Sequence, residues 1–266
     1  MATRVAFVGR SGLGGVQMRG RAVARQLGVP FVDLRDISRS PRFDVIVLVK
    51  YWGTVAKTIR SKCNTLVFDP LDCFTQLGPN DTPESFWKRT RQIANWDHIL
   101  ATSPACRETM KSAGPTFLVP HHADPCINAD WHNPRGPVVY CGGERFITSR
   151  RNAIAETCKA MGRQLVLDFN RTAHLSLEGA ALSLHPRFAP QDTPLNVYCK
   201  PQVKLENANA AGVPTLATAD PCVLTTCADV PTFEESSIEA AMKWRPPPPR
   251  TLEMSCTEMR TILESL

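Results

Sequence analysis

Nothing in these 266 residues approaches the roughly 18 to 20 consecutive apolar side chains that a membrane-crossing helix needs, so no transmembrane segment is expected. The opening "MATRVAFVGRSGLGG" has too short an apolar core for a secretory leader and reads as a first strand entering a glycine turn. The ten cysteines include no Cys-x-x-Cys pair, and Cys63, Cys141 and Cys199 sit beside apolar or β-forming neighbours, where free buried thiols are common. A disulfide framework and a structural zinc site are disfavoured, and a reduced cytoplasmic protein is expected. No internal repeat is visible, and no low-complexity tract beyond "RPPPPR" (245–250). Two phosphate-binding fingerprints are missing as well. In "GRSGLGGVQ" (9–17), a dinucleotide motif starting at Gly12-x-Gly14 would need a third glycine where Gln17 stands, and no Gly-Lys-Ser/Thr follows. A nicotinamide-dependent dehydrogenase and a P-loop enzyme are both disfavoured.

What is present is a soluble globular composition, 43% hydrophobic and 21% charged, in a chain long enough for two domains of about 130 residues. The net charge of +6 is unevenly spread. Residues 1–135 carry 18 Lys and Arg against 11 Asp and Glu, whereas residues 136–266 carry 13 against 14. An anionic partner for the first half follows from that asymmetry, as does the plainer reading of a solvated basic surface.

The first half alternates strand-like and helix-like patterns: strand 3–9, helix from Gly15 to Leu27, "VPFVDL", "DVIVLVKYW" (44–52), "VAKTIRSK", "TLVFDP", "PESFWKRTRQIANW", "HILATS", and a helix opening at Ser103-Pro104. Repeated βα units imply a parallel sheet covered on both faces. "HNPRGP" (132–137) has turn composition, and the alternation restarts after it with "PVVYCGG", a helix over 149–161, "QLVLDF", "AALSLHP", a helix over 203–211 and "VPTLAT". Helices near 221–228 and 233–244 follow, then the proline spacer and a last helix over 251–265. The expected domains are 1–133, 134–245, and a spacer plus crossover helix over 246–266.

Several clusters fall just past strand ends, where such folds bind ligands. Gly12, Gly14 and Gly15 form a loop able to admit an anion or simply a tight turn. Asp69 and Asp72 in "VFDPLDCF" could orient or deprotonate a hydroxyl. "VPHHADP" offers two adjacent histidines, of which at most one, His121, faces a ligand, and no third ligand suggests a metal. Gly142, Gly143 and Arg145 follow "VVYC", and His185 ends "LSLH". Lys200 and Lys204 flank the start of the Ala/Asn-rich helix that carries Asn207, and a helix N-terminus backed by lysines suits a phosphate.

With these residues in view, the chain resembles a GT-B glycosyltransferase of the glycogen-synthase-like superfamily. "KPQVKLENANAAGVPTLAT" is similar to a Lys-Pro-x-x-Lys-Leu-x-Asn-Ala pattern of one subgroup, which also carries an Asp-x-x-Asp element like Asp69 and Asp72. "WDHILATSPACRETMKSAGPTFLVPHHADP" and "VVYCGG" resemble the closing stretch of the first domain and the opening strand of the donor domain. The resemblance implies an α/β fold of two Rossmann-like domains facing across a cleft, with the last helix crossing back to the first. It implies a nucleotide-sugar co-substrate, UDP-linked by expectation, no tightly bound cofactor and no obligatory metal. Lys200 and Lys204 would neutralise the donor diphosphate, Asn207 would bond the ribose or sugar, and Asp72, Asp69 and Lys204 would be the catalytic group. Where the large retaining family has two glutamates eight residues apart, this chain has Cys199 and Asn207, with Glu206 one position early.

The acceptor surface falls to the basic first domain. Trp87 and Trp96 interleave with Lys88, Arg89 and Arg91, a mixture suited to phosphate contacts and base stacking. Together with the short chain and the resemblance to phage enzymes, this makes double-stranded phage DNA carrying 5-hydroxymethylcytosine the leading expectation, in the host cytoplasm and with a monomeric enzyme. A small-molecule or surface-glycan acceptor, a non-catalytic DNA-binding protein on a degenerate GT-B scaffold, and a nucleotide-sugar epimerase are the alternatives.

Overall fold

Five consecutive apolar residues, Val45 to Val49, are almost wholly buried, which is what a strand covered on both faces of a parallel sheet requires. The computed structural model describes residues 3–50, 55–71, 82–170, 173–188 and 198–266. These residues form two units. The first opens with β1 (Val5–Gly9) and α1 (14–27), in which a π-helical stretch Gln17–Ala22 interrupts the α-helix. It continues through β2 (Phe31–Asp33), β3 (Phe43–Val49), α2 (Ala56–Arg60) and β4 (Cys63–Asp69). Next come α3 (Pro83–Ala94), β5 (His98–Ala101), α4 (Pro104–Met110) and β6 (Thr116–Leu118). The sheet is parallel in the order β2-β1-β3-β4-β5-β6, with Val5 opposite Val45 and Gly9 opposite Val49.

Local chemistry explains where helices start. Thr82 accepts a hydrogen bond from the Ser85 N–H (3.2 Å) ahead of Pro83, and Ser103 accepts from the Cys106 N–H (3.1 Å) ahead of Pro104. Trp87 and Trp96, placed above on a base-stacking surface, point inward instead. Both are fully buried in a core with Phe43, Ile59 and Met110, and the Trp87 indole donates to Thr109 Oγ1 (3.1 Å). The α3 pattern is amphipathic and Trp87 belongs to its apolar stripe, while Trp96 packs inward just beyond the helix's C-cap Asn95; burying each is worth ~3 kcal/mol or more, which a role on the surface would forfeit.

The second unit begins at His122, so residues 122–133 lie in it, with Ile127 and Trp131 packed against the cluster of Val139, Leu177, Ala208 and Val213. It contains β7 (Val138–Cys141), α5 (Arg151–Ala160), β8 (Leu165–Asp168), β9 (Leu182–His185), α6 (Val203–Ala210), β10 (Thr215–Ala217), α7 (Pro221–Leu224) and α8 (Ile238–Ala241). Its parallel sheet runs β10-β9-β7-β8. The helices foreseen near 221–228 and 233–244 are shorter. After Leu224 the Thr225 and Thr226 hydroxyls bond back to the carbonyls of Pro221 and Cys222 (2.7 Å each), and Ser237 caps the second helix only at Ile238.

The last helix, α9 (Leu252–Glu264), belongs to the first unit. Its Cys256, Met259, Ile262 and Leu263 join the cluster of Phe7, Val23, Val45 and Val67 on one face of that sheet. The nine described cysteines are all free. Among the described residues no helix is long and apolar enough to cross a membrane, and no group of three or more His, Cys, Asp or Glu could hold a metal ion.

Candidate functional site

Each sheet reverses its strand order once, between β1 and β3 in the first unit and between β7 and β9 in the second. Open parallel sheets bind ligands outside the carboxyl ends of their strands at such a reversal.

In the second unit, the reversal brings together Gly142 beyond β7, His185 at the end of β9, and Lys204 in the first turn of α6. The Lys204 ammonium lies over the Tyr140 ring, 5.3 Å from its centroid. It also fills the space that a side chain at 142 would need, as does the Tyr140 hydroxyl at 2.7 Å, so Gly142 is required for close packing around the cation. Tyr140 Oη donates to the Gly143 carbonyl (2.7 Å), which ties the loop after β7 to the strand it leaves. Arg145 is exposed, its guanidinium stacked on Phe146 at 4.5 Å. Burial, then the charges of Lys204 and Arg187, push the His185 imidazole down to about 3, so it is neutral at physiological pH and contacts Ser183 Oγ through Nε2 (3.2 Å). Arg187 pairs with Asp220 at 3.2 Å. The result is a cation and a neutral imidazole at the end of a sheet, beside a helix N-terminus.

The rest of α6 is buried all round, from Leu205 to Ala210. Its polar side chains are anchors. Asn207 Oδ1 accepts from the Asp124 N–H (2.8 Å), and Glu206 Oε2 accepts from the Arg250 N–H (2.9 Å), while Ala123 N–H donates to the Arg250 carbonyl (2.9 Å). The segments at both ends of the unit are thereby fastened to one helix. Asn207, expected to bond the ribose or sugar, commits its carbonyl oxygen to this fastening. Burial raises the Glu206 carboxyl above its ordinary range, against the opposing bond and charge from Arg250.

In the first unit, Gly12 takes φ +88°, which only glycine adopts readily, Gly14 borders open space, and a side chain at Gly15 would press on Leu71 at 3.1 Å. The Asp33 carboxylate accepts from the Ser11 N–H (3.0 Å), the Arg35 N–H (3.0 Å) and Arg35 Nε (3.1 Å). Hydrogen bonds from Ser11 and Arg35 hold its carboxyl well below the usual range. Asp69 is fully buried, its Oδ2 bound to Arg19 Nε at 2.7 Å, and Arg19 also donates to the carbonyls of Val119 (2.5 Å) and Pro120 (2.9 Å). A carboxylate so enclosed cannot meet a substrate hydroxyl; it holds β4, α1 and the end of β6 together. Asp72 lies outside the described residues. His121 is buried at the end of the first unit, and Lys200 lies in that unit's short 198–201 segment. Lys88 is exposed, Arg89 lies 6.0 Å from the Phe86 ring, and Arg91 donates to the Ala113 carbonyl (2.6 Å) and covers Trp96.

The sequence-predicted residues Gly142, His185 and Lys204 thus converge, whereas Asp69 is enclosed by Arg19 and the Asn207 carbonyl oxygen is held by the Asp124 N–H. Tyr140 and Arg19 were missed. Arg19 carried a signal, since it sits among Val16, Gly20 and Val23 on the face of α1 that turns to the core. Tyr140 carried none beyond being the aromatic residue of an otherwise aliphatic strand.

Among solved structures, AviGT4, a glycosyltransferase involved in avilamycin A biosynthesis, matches with a TM-score of 0.61 and 14% identity, over 99% of this chain and 96% of that one. TarM matches at 0.43 and 9% identity over 83% and 48% of the two chains, and the Gap123 complex of Streptococcus agalactiae at 0.41 and 10% over 87% and 54%. This chain spans about half the length of the latter two. No protein-family model and no curated protein matches the sequence. The likeness to AviGT4 concerns the fold, and the α/β class with parallel sheets expected from the sequence is the one observed, consistent with a GT-B neighbour.

Proposed function

We propose that this chain is a glycosyltransferase that moves a sugar from a nucleotide-sugar donor, UDP-linked in the simplest case, to a hydroxyl acceptor. The carrying observation is the Lys204 ammonium, seated over Tyr140 and against Gly142 at the strand-order reversal of the second unit. In the transfer, the bond from the anomeric carbon to the phosphate oxygen breaks and its electron pair stays on the diphosphate. The acceptor oxygen bonds to the anomeric carbon and releases its proton. Lys204 offsets the negative charge that grows on the leaving diphosphate. His185, being neutral, acts as a hydrogen-bonding group and leaves the electrostatic work to the lysine. Lys200, four positions earlier in the motif, is the second cation of this reading. Asp72, three positions after Asp69 in the sequence, is the remaining carboxylate to take the acceptor's proton, since Asp69 is enclosed.

For the acceptor we favour a small hydroxylated molecule or glycan. Burial of Trp87 and Trp96 removes the stacking platform from the DNA reading, which keeps the basic charge of the first half, the short chain and the compact phage enzymes in its support. AviGT4, the neighbour in fold, acts in the biosynthesis of an avilamycin. The test follows release of nucleoside diphosphate from a panel of nucleotide sugars, with and without hydroxylated acceptors and 5-hydroxymethylcytosine DNA. Lys204→Ala is expected to abolish release while melting at the wild-type temperature. Full activity in that variant would refute the donor site, and a sugar-sized mass gain on the DNA would overturn the acceptor preference.

A further inference from the structure

The connection that leaves β8 displays two large apolar side chains, Phe169 (43% exposed) and Leu175 (47%). The described residues around them are tied to Asp168. Asp168 accepts from the Asn170 N–H and Nδ2 (2.9 Å each) through Oδ1 and from Ser176 Oγ (2.5 Å) through Oδ2, and its backbone carbonyl accepts from the Gly142 N–H (2.9 Å). The same bonds from Ser176 and Asn170 keep the Asp168 carboxyl below its ordinary range, so the anchor remains ionised. The Phe169 ring meets Tyr140 edge-on, centroids 6.2 Å apart at 65°, while Lys204 occupies the same tyrosine from 5.3 Å. An exposed aromatic face and the site's cation therefore flank one buried ring, with the Gly142–Gly143 turn beside them.

We propose that Phe169 is the platform on which the base of the nucleotide donor stacks, with its diphosphate reaching Lys204. The proposal rests on the donor reading of Lys204 and adds to it a determinant of affinity for the base. A planar base covering Phe169 would remove apolar surface from water and gain a ring contact, and such stacking tolerates any base because each has a π face. On this reading the base rests on Phe169, next to β8, and the diphosphate meets Lys204 in the first turn of α6.

Calorimetric titration separates the two elements. UDP, dTDP, GDP, ADP and CDP are titrated into the wild-type chain, and the tightest of them is carried forward beside inorganic pyrophosphate. Phe169→Ala is expected to weaken the nucleotide roughly tenfold to hundredfold and leave pyrophosphate unchanged. Phe169→Trp should retain the affinity, and Lys204→Ala should weaken both probes. Phe169 is exposed, so unchanged melting of its variants is expected, and Leu175→Ser provides a second, milder loss on the same loop. Equal nucleotide binding by Phe169→Ala and wild type overturns the platform while leaving the donor site standing. Failure of the wild type to bind any of the five nucleotides overturns both.

Discussion

Replacing Arg19 with methionine tests the least expected feature of the first unit. The guanidinium is fully buried and uses three N–H groups, on Asp69, Val119 and Pro120. Methionine preserves most of the aliphatic volume but strands the Asp69 carboxylate, whose Oδ1 already has no hydrogen-bond partner among the described residues. Breaking a buried ion pair on one side costs about 3–5 kcal/mol. The Val119 carbonyl loses its arginine donor at a further cost of about 1–3 kcal/mol, whereas Pro120 keeps the Ser255 hydroxyl at 3.2 Å. The expected loss is therefore about 4–8 kcal/mol, against a stability of about 5–15 kcal/mol for an ordinary domain, and the variant should sit near its unfolding threshold. Removing both charges with Arg19→Met and Asp69→Leu leaves only the carbonyl uncompensated and should recover most of the loss. Urea titration followed by circular dichroism reads both variants. A loss below about 1 kcal/mol in the single variant, or no recovery in the double, would refute the view that the pair matters as a unit.

Three further outcomes are expected. Gly142→Ala places a methyl group where the Lys204 ammonium and Tyr140 hydroxyl stand; the flexible lysine yields, so the chain should fold with little change in melting while its donor KM rises several-fold, and unchanged kinetics would argue against this placement of the cation. His185 and Glu206 give opposite pH slopes. The histidine refuses a proton that the unfolded chain accepts, so stability falls as pH drops from 6.5 towards about 3, and His185→Gln should flatten that limb, by at most ~1.4 kcal/mol per pH unit. The glutamate keeps its proton above 4.5, so stability falls as pH rises beyond that value, and Glu206→Gln should abolish the fall; thermal melts across pH 3 to 8 check both.

Much of the architecture was legible in the sequence because hydrophobic period and capping agree. Apolar runs such as Val45 to Val49 admit one kind of strand, and Ser103-Pro104 or Thr82-Pro83 admits one helical entry. Gly142, His185 and Lys204 come together because the end of β9, the turn after β7 and the first turn of α6 fall where the local pattern puts them. The site was not legible where a polar side chain has a choice of partners distant in sequence. Nothing near Asp69 reveals Arg19, fifty positions earlier, and nothing in "LENAN" reveals that Asn207 reaches Asp124. Trp87 and Trp96 show the converse error, in which composition invited a surface role for rings that are buried, Trp87 turned inward by the 3.6-residue period of α3 and Trp96 just past the end of that helix.

The return of α9 to the first unit has a consequence for biosynthesis. A ribosome makes β1 to β6, then the whole second unit, and only afterwards the helix whose Met259, Ile262 and Leu263 cover Phe7, Val23 and Val45. Until that segment clears the exit tunnel, one face of the first sheet is wet and adhesive, and contacts between residues some 250 positions apart close slowly. The nascent chain therefore has a long interval in which that face can meet other chains. A stop codon ahead of residue 252 would yield a second unit complete in itself tethered to a first that aggregates.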